Sequence, residues 1–192
     1  FIERMKFCRS SSRNIKKFGQ GNLSLYGCVI SDCAKSVIGS GVCISGEQDE
    51  TVDKSEIVAG ENLFNSCCFE NLAHTTASKY NCAGAAVWVR NAVNVILNDC
   101  EFKRNGNLDK LFSRDGRGGA AIYSEDTPVV ANGCSFVGNV ERSVGSKDNV
   151  FHSAGSVMLY NACGGSAFTN CLWLGNCGTY CNDSSERRLG TS

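Results

Sequence analysis

The stretch GGAAIYSEDTPVVANGCSFVGN, Gly118 to Asn139, decides the fold. It reads as two short β-strands and a corner. Gly118-Gly119 opens the first strand, Ala120 to Tyr123. Ser124 to Thr127 is polar and turn-like, and Pro128 is unfit for a central ladder. A second strand follows at Val129 to Ala131, then the turn dipeptide Asn132-Gly133. Cys134 and Phe136 alternate with polar neighbours, and Asn139 closes the unit.

Other stretches repeat parts of this phrase, and the repeat is the main evidence. Cys-x-aromatic-x-x-Asn is intact at Cys100 to Asn105 and at Cys134 to Asn139. It returns at Cys171 to Asn176 with Trp173 as the aromatic. Cys67 to Asn71 is a weaker copy, with Asn one place early. Cys28 to Cys33 is the weakest, with Cys33 where Asn is expected. The marker cysteines are 39, 33, 34 and 37 residues apart. Between them lies a second phrase, Gly84 to Val89, Gly119 to Tyr123 and Gly155 to Tyr160, with Gly41 to Ile44 as a first copy. These strands end 10 or 11 residues before the next marker cysteine, so one arm reads as fixed and the other carries insertions.

Two phrases in fixed order describe units that bury their apolar sides against their neighbours. The runs are short, alternate with period two and are rich in Val, Ile, Phe and Cys. The expectation is an all-β chain, a single-stranded parallel β-helix of about five coils. Equivalent residues then stack about 4.8 Å apart, in a column on the order of 24 Å long.

Composition agrees with one domain over residues 1–192. One Pro suits continuous ladders, and 21 Gly suit many corners. Net charge is zero, so nothing global points to nucleic acid. No run of 18 apolar residues encodes a membrane span. The chain opens on Phe1, which reads as a processed product or a piece of a longer chain. Thirteen cysteines favour an oxidising compartment. The sequons at Asn22 and Asn182 are candidate glycosylation sites of a secreted eukaryotic protein. The expected location is extracellular or at the cell surface.

Residues 1–20 form a basic first coil or edge, whose charges blunt edge pairing or bind phosphate or a heparin-like chain. Residues 46–61 are an acidic surface insertion lacking the Asp-x-Asp-x-Asp-Gly order of a calcium loop. Asn65, Asn98 and Asn132 share one repeat position and suit a left-handed corner, where stacked amides can also bond one another. Phe69, Phe102, Phe136 and Trp173 are expected to stack inside. The marker cysteines share that parity and read first as buried thiols acting as small hydrophobes. Cys8, Cys33, Cys163, Cys177 and Cys181 are the better disulfide candidates, with no connectivity derivable.

Trp88, Tyr123 and Leu159 are assigned to one column. Facing outward, Trp88 and Tyr123 would make a glycan platform; facing inward, they are core. No nucleophilic triad surrounds His74 or His152, which read as surface polar residues. Asp99 and Glu101 have no second acid in their columns, whose other members are Gly133 and Ser135, then Asn170 and Leu172. Glu125, Asp126 and Asp115 lie in loops that could converge on a carbohydrate. No cofactor is implied. A structural or adhesive protein is set against a carbohydrate-active enzyme or lectin.

The phrases GGAAIY (118–123), FKRN (102–105), FVGN (136–139) and WLGN (173–176) resemble the Gly-Gly-Ala-Ile and Phe-x-x-Asn repeats of polymorphic outer-membrane-protein adhesins and related pectin-lyase-like surface proteins. The resemblance covers about residues 62–176. It implies a right-handed parallel β-helix with an adhesive or structural role at the cell surface, where surface glycans are candidate ligands. The tail, 182–192, is too polar to cover an apolar end coil. Unlike coil ends in contact do not close a ring, so self-association through them is expected to build a filament or array.

Overall fold

The computed structural model describes residues 1–9, 13–36, 40–46, 57–74, 82–84, 86–106, 117–141, 152–154, 156–162, 164–183 and 186–191. Among these the chain is all-β, and its strands stack in parallel to form a β-solenoid. A first sheet orders Ile2–Glu3, Leu23–Tyr26, Ala59–Asn65, Ala92–Asn98, Val129–Asn132 and Ala167–Thr169. A second orders Lys6–Cys8, Val29–Ser36, Cys68–His74, Glu101–Lys103, Ser135–Val137 and Leu172–Leu174. A third orders Ile15–Phe18, Val42–Ser45, Val87–Arg90, Ile122–Glu125 and Val157–Tyr160. The chain visits the three sheets in turn and returns to the first one rung further on. A short sheet of Cys82–Gly84, Arg117–Gly119 and His152–Ala154 precedes the last three strands of the third sheet. Among the described residues, the one antiparallel pairing joins Cys177–Asp183 to Glu186–Thr191, which include part of the polar tail.

Single left-handed residues make the corners. Between first and second sheets these are Arg4, Gly27, Ser66, Asp99, Gly133 and Asn170, with φ from 50° to 66°. The next corner uses Arg9, Asp32, Asn71, Arg104, Gly138 and Gly175, and the third uses Gly19, Asn91, Asp126 and Asn161. One residue in this region redirects the chain without a loop, and Asn, Asp and Gly occupy it most readily. Asn65, Asn98 and Asn132 are in register as expected, yet they are the last residues of their strands. The left-handed turn falls on the residue after each.

Alternation in the strands sends one set of side chains inward. Phe69 stacks on Phe102 at 4.8 Å and 3° between planes. Phe102 stacks on Phe136 at 4.9 Å and 4°, and Phe136 on Trp173 at 4.2 Å and 8°. Phe7 and Ile30 continue the same column in the other direction. The expected aromatic column is therefore present, and in-register pairing makes its rings parallel.

The amide ladder lies elsewhere than expected. Its members are Asn105, Asn139 and Asn176, all buried, one residue past the second corner. Asn105 Nδ2 donates to Phe69 O and to Asn139 Oδ1, both at 3.0 Å. Asn139 Nδ2 repeats this with Phe102 O and Asn176 Oδ1 at 3.0 Å. Asn176 Nδ2 reaches Phe136 O at 2.8 Å. A corner this tight leaves backbone groups facing inward without strand partners, and the amides supply them.

The pair Gly118-Gly119 does not open the strand that follows it. It belongs to the short sheet, and the chain bends at Ala120 and Ala121 before Ile122–Glu125 begins. A Cβ on Gly119 would press on the carbonyl oxygen of Ile122 and stand 2.9 Å from Met158 N. Gly119→Ala is expected to cost about 3 kcal/mol in urea unfolding. Gly164→Ala, where a Cβ meets nothing within 4 Å, is the control and should change stability by less than about 0.5 kcal/mol. Equal stability of the two variants would rule out this bend.

Candidate interaction surface

The outward face of the second sheet carries two columns. One runs Lys6, Val29, Cys68, Glu101, Ser135, Leu172; the other runs Cys8, Ser31, Glu70, Lys103, Val137, Leu174. Lys103 Nζ is 2.5 Å from Glu101 Oε2, and that carboxylate holds the ammonium above its ordinary pKa. Both groups are substantially exposed, so the pair adds little stability. Burial pushes the Cys68 thiol up. Towards Trp173 the face turns apolar, with Leu172 55% and Leu174 59% exposed.

The adjoining corner carries a chain of polar contacts from rung to rung. Arg104 pairs with Glu70 through Nη2 and donates from Nε to Asn71 Oδ1 at 3.0 Å. Asn71 Nδ2 donates to Asp32 Oδ1 at 3.2 Å, and Ser31 Oγ to Asp32 Oδ2 at 3.0 Å. Asp32, Asn71 and Arg104 are all left-handed corner residues, so their side chains project in one row. A corner column of this kind is visible in the sequence only once the ladder register is known.

The glycan platform requires correction. Trp88 and Tyr123 are 0% and 1% exposed. They alternate with Val87, Val89 and Ile122 of the main core, so they leave the third sheet on its opposite side. There they pack with Cys43, and Phe18, Met158 and Tyr160 pack against this cluster. The column is neither an open platform nor part of the main core; it is a second, sealed cluster. Its next member is Met158, because Tyr123 pairs with Met158 and Leu159 pairs with Ser124. Beside it, Arg90 Nη2 and Glu125 Oε1 are 3.4 Å apart and largely buried, and Tyr123 Oη donates to Glu125 Oε2 at 3.2 Å. Trp88 Nε1 is buried without a hydrogen-bond partner among the described residues.

Glu101 is on the second sheet's outer face, Asp126 is in the third corner, and Glu125 is engaged by Arg90 and Tyr123. Asp115 and most of the acidic insertion at 46–61 lie outside the described residues. His74 and His152 end and begin strands, and their side chains lie outside the described set. Among the described residues no group of three or more His, Cys, Asp or Glu is placed to hold a metal ion. No helix among them is long and apolar enough to cross a membrane.

The disulfide candidates are scattered. Cys8 is an exposed free thiol at the start of the second sheet, and Cys177 is a partly buried free thiol. Cys33 is buried and pairs in register with Leu72 in the ladder position. Cys163 and the side chain of Cys181 lie outside the described residues. Asn22 is exposed, and its Oδ1 accepts from Glu61 N at 3.0 Å. Asn182 lies on the strand Cys177–Asp183, with its side chain outside the described set. Arg4, Lys6, Arg9 and Lys16 of the basic segment are exposed, and burial lowers the Lys17 pKa.

No protein-family model, curated protein or solved structure matches the chain.

Proposed function

We propose that this chain is an extracellular structural or adhesive protein, a right-handed β-helix of about five coils whose copies stack end to end. One observation carries the reading. The aromatic column runs unbroken from Phe69 to Trp173, and at its end Trp173 is 37% exposed between the still more exposed Leu172 and Leu174. At the other end Phe7 occupies the same column, beside exposed Phe1 and Met5. A second copy placed head to tail continues the stack and pairs strand edge to strand edge. The long outer faces are then left free to meet surface glycans.

Sedimentation and electron microscopy of the purified chain test this. Concentration-dependent rods are expected, and Leu172→Asp with Leu174→Lys should return them to monomers. A chain that stays monomeric at high concentration, or that turns over polysaccharide with Glu101 or Asp126 required, would overturn the proposal. A glycan array identifies the ligand class, and Trp88→Phe should leave its pattern unchanged because that ring is sealed.

A further inference from the structure

Five cysteines stand in one column at the corner between first and second sheets. The residue after each of the last four donates its N–H to the carbonyl of the preceding rung's cysteine: Cys68 to Cys28 and Glu101 to Cys67 at 2.8 Å, Ser135 to Cys100 and Leu172 to Cys134 at 2.9 Å. Cys28, Cys67, Cys100 and Cys134 are buried, and Cys171 is partly buried. All five are free thiols. Each Sγ also lies 3.2–3.5 Å from the carbonyl oxygen two residues back. Cys100 stands between Cys67 and Cys134, one rung from each.

Cys67 and Cys134 are lowered to about 7 and Cys100 is raised, in each case first by a neighbouring thiol of the column. Cysteines in single file, one per rung, are unlike the tetrahedral cage zinc requires. Rungs are about 4.8 Å apart. Two metal–thiolate bonds laid end to end span about 4.6 Å.

We propose that this column is a binding site for soft monovalent cations of the Cu(I) and Ag(I) class, each held linearly between the sulfurs of adjacent rungs. Soft thiolate sulfur selects such ions over hard ones. Two S–H bonds break, two metal–thiolate bonds form and both protons leave to solvent, so each loaded pair carries one negative charge and no electron moves. Entry is at Cys171, the partly exposed rung.

The test is anaerobic titration of the reduced chain with Cu(I) and Ag(I), and separately with Zn(II), in the presence of a competing chelator. About two Cu(I) or Ag(I) ions per chain are expected to remain, filling separate pairs of rungs, with Zn(II) removed. X-ray absorption on the loaded chain should show two sulfur neighbours. Cys134→Ser leaves room for one pair among Cys28, Cys67 and Cys100 and should lose half of the bound metal, while Cys8→Ser, at the exposed thiol, should lose none. Should Cys134→Ser not fold, Cys67→Ser is read instead, which leaves room for one pair among Cys100, Cys134 and Cys171. Retention unchanged in the folded variant, loss in Cys8→Ser, equal retention of Zn(II), or three or more sulfur neighbours would each overturn the proposal.

Discussion

Asn139→Ala is expected to lower stability by about 4 kcal/mol in chemical denaturation. Asn139 is the middle rung of the buried amide ladder. Its Oδ1 accepts from Asn105 N at 3.1 Å and from Asn105 Nδ2 at 3.0 Å. Its Nδ2 donates to Phe102 O and Asn176 Oδ1. Alanine strands the Asn105 N–H and weakens the satisfaction of Phe102 O, both away from water. Each stranded group costs about 1–3 kcal/mol, well above the net worth of an ordinary hydrogen bond. Asn132→Ala, at the exposed strand-end column, should cost less than about 1 kcal/mol. Equal costs at the two positions would show that the ladder does not hold the corner.

Phe102→Ala should cost about 4 kcal/mol by the same measurement. Phe102 is fully buried and stacked on both sides, so its loss leaves a void between two flat rings that backbone ladders hold a rung apart. Such a site collapses poorly, which puts the cost high in the usual range. Phe102→Leu keeps most of the volume and should cost about 1.5 kcal/mol. Trp173→Ala should cost less than Phe102→Ala, because that ring is stacked on one side and partly exposed. A Phe102→Ala cost no greater than that of Phe102→Leu would mean that the column packs loosely.

The second sheet was the most legible part of the chain. Its strands carry one aromatic two residues after a cysteine, so Phe69, Phe102, Phe136 and Trp173 could be aligned by eye. The same alignment placed Glu101, Ser135 and Leu172 in one column, as the register does. The third sheet was less legible. Its strands are apolar on both sides, so parity cannot distinguish inward from outward, and small residues precede every copy. Gly119 pairs with Ala154, although Gly155 is the more obvious partner. The arm taken as fixed also varies: Arg90, Glu125 and Tyr160 share a column but lie 10, 9 and 11 residues before their cysteines. That one-residue play exchanged Leu159 for Met158. The sealing of Trp88 and Tyr123 was invisible for a further reason, since burial on an outer face depends on what packs over it. The ladder asparagines were in plain view as the last letter of the marker phrase. Their task follows only from the backbone geometry of the corner before them.

The ladder is incomplete on one side: its position is filled by Asn in three successive rungs, but by Leu72 and Cys33 in the two preceding them. Leu72 contributes only a backbone N–H, donated to Asn105 Oδ1 at 3.1 Å. A uniform stack of identical coils is degenerate during folding. A coil can dock one rung too far and still set ring on ring and thiol on thiol, a whole-coil slip that alternation cannot detect. The break at Leu72 removes that degeneracy. A coil carrying Asn that docks in place of the Leu72 coil gives its amide no amide below, and one carrying Leu among the asparagines leaves two amides unanswered. The change from aromatic to Ile30 in the neighbouring column adds a second mark at the same end. The irregular rungs thus act as an index that phases the stack, giving a repetitive chain a single lowest-energy alignment.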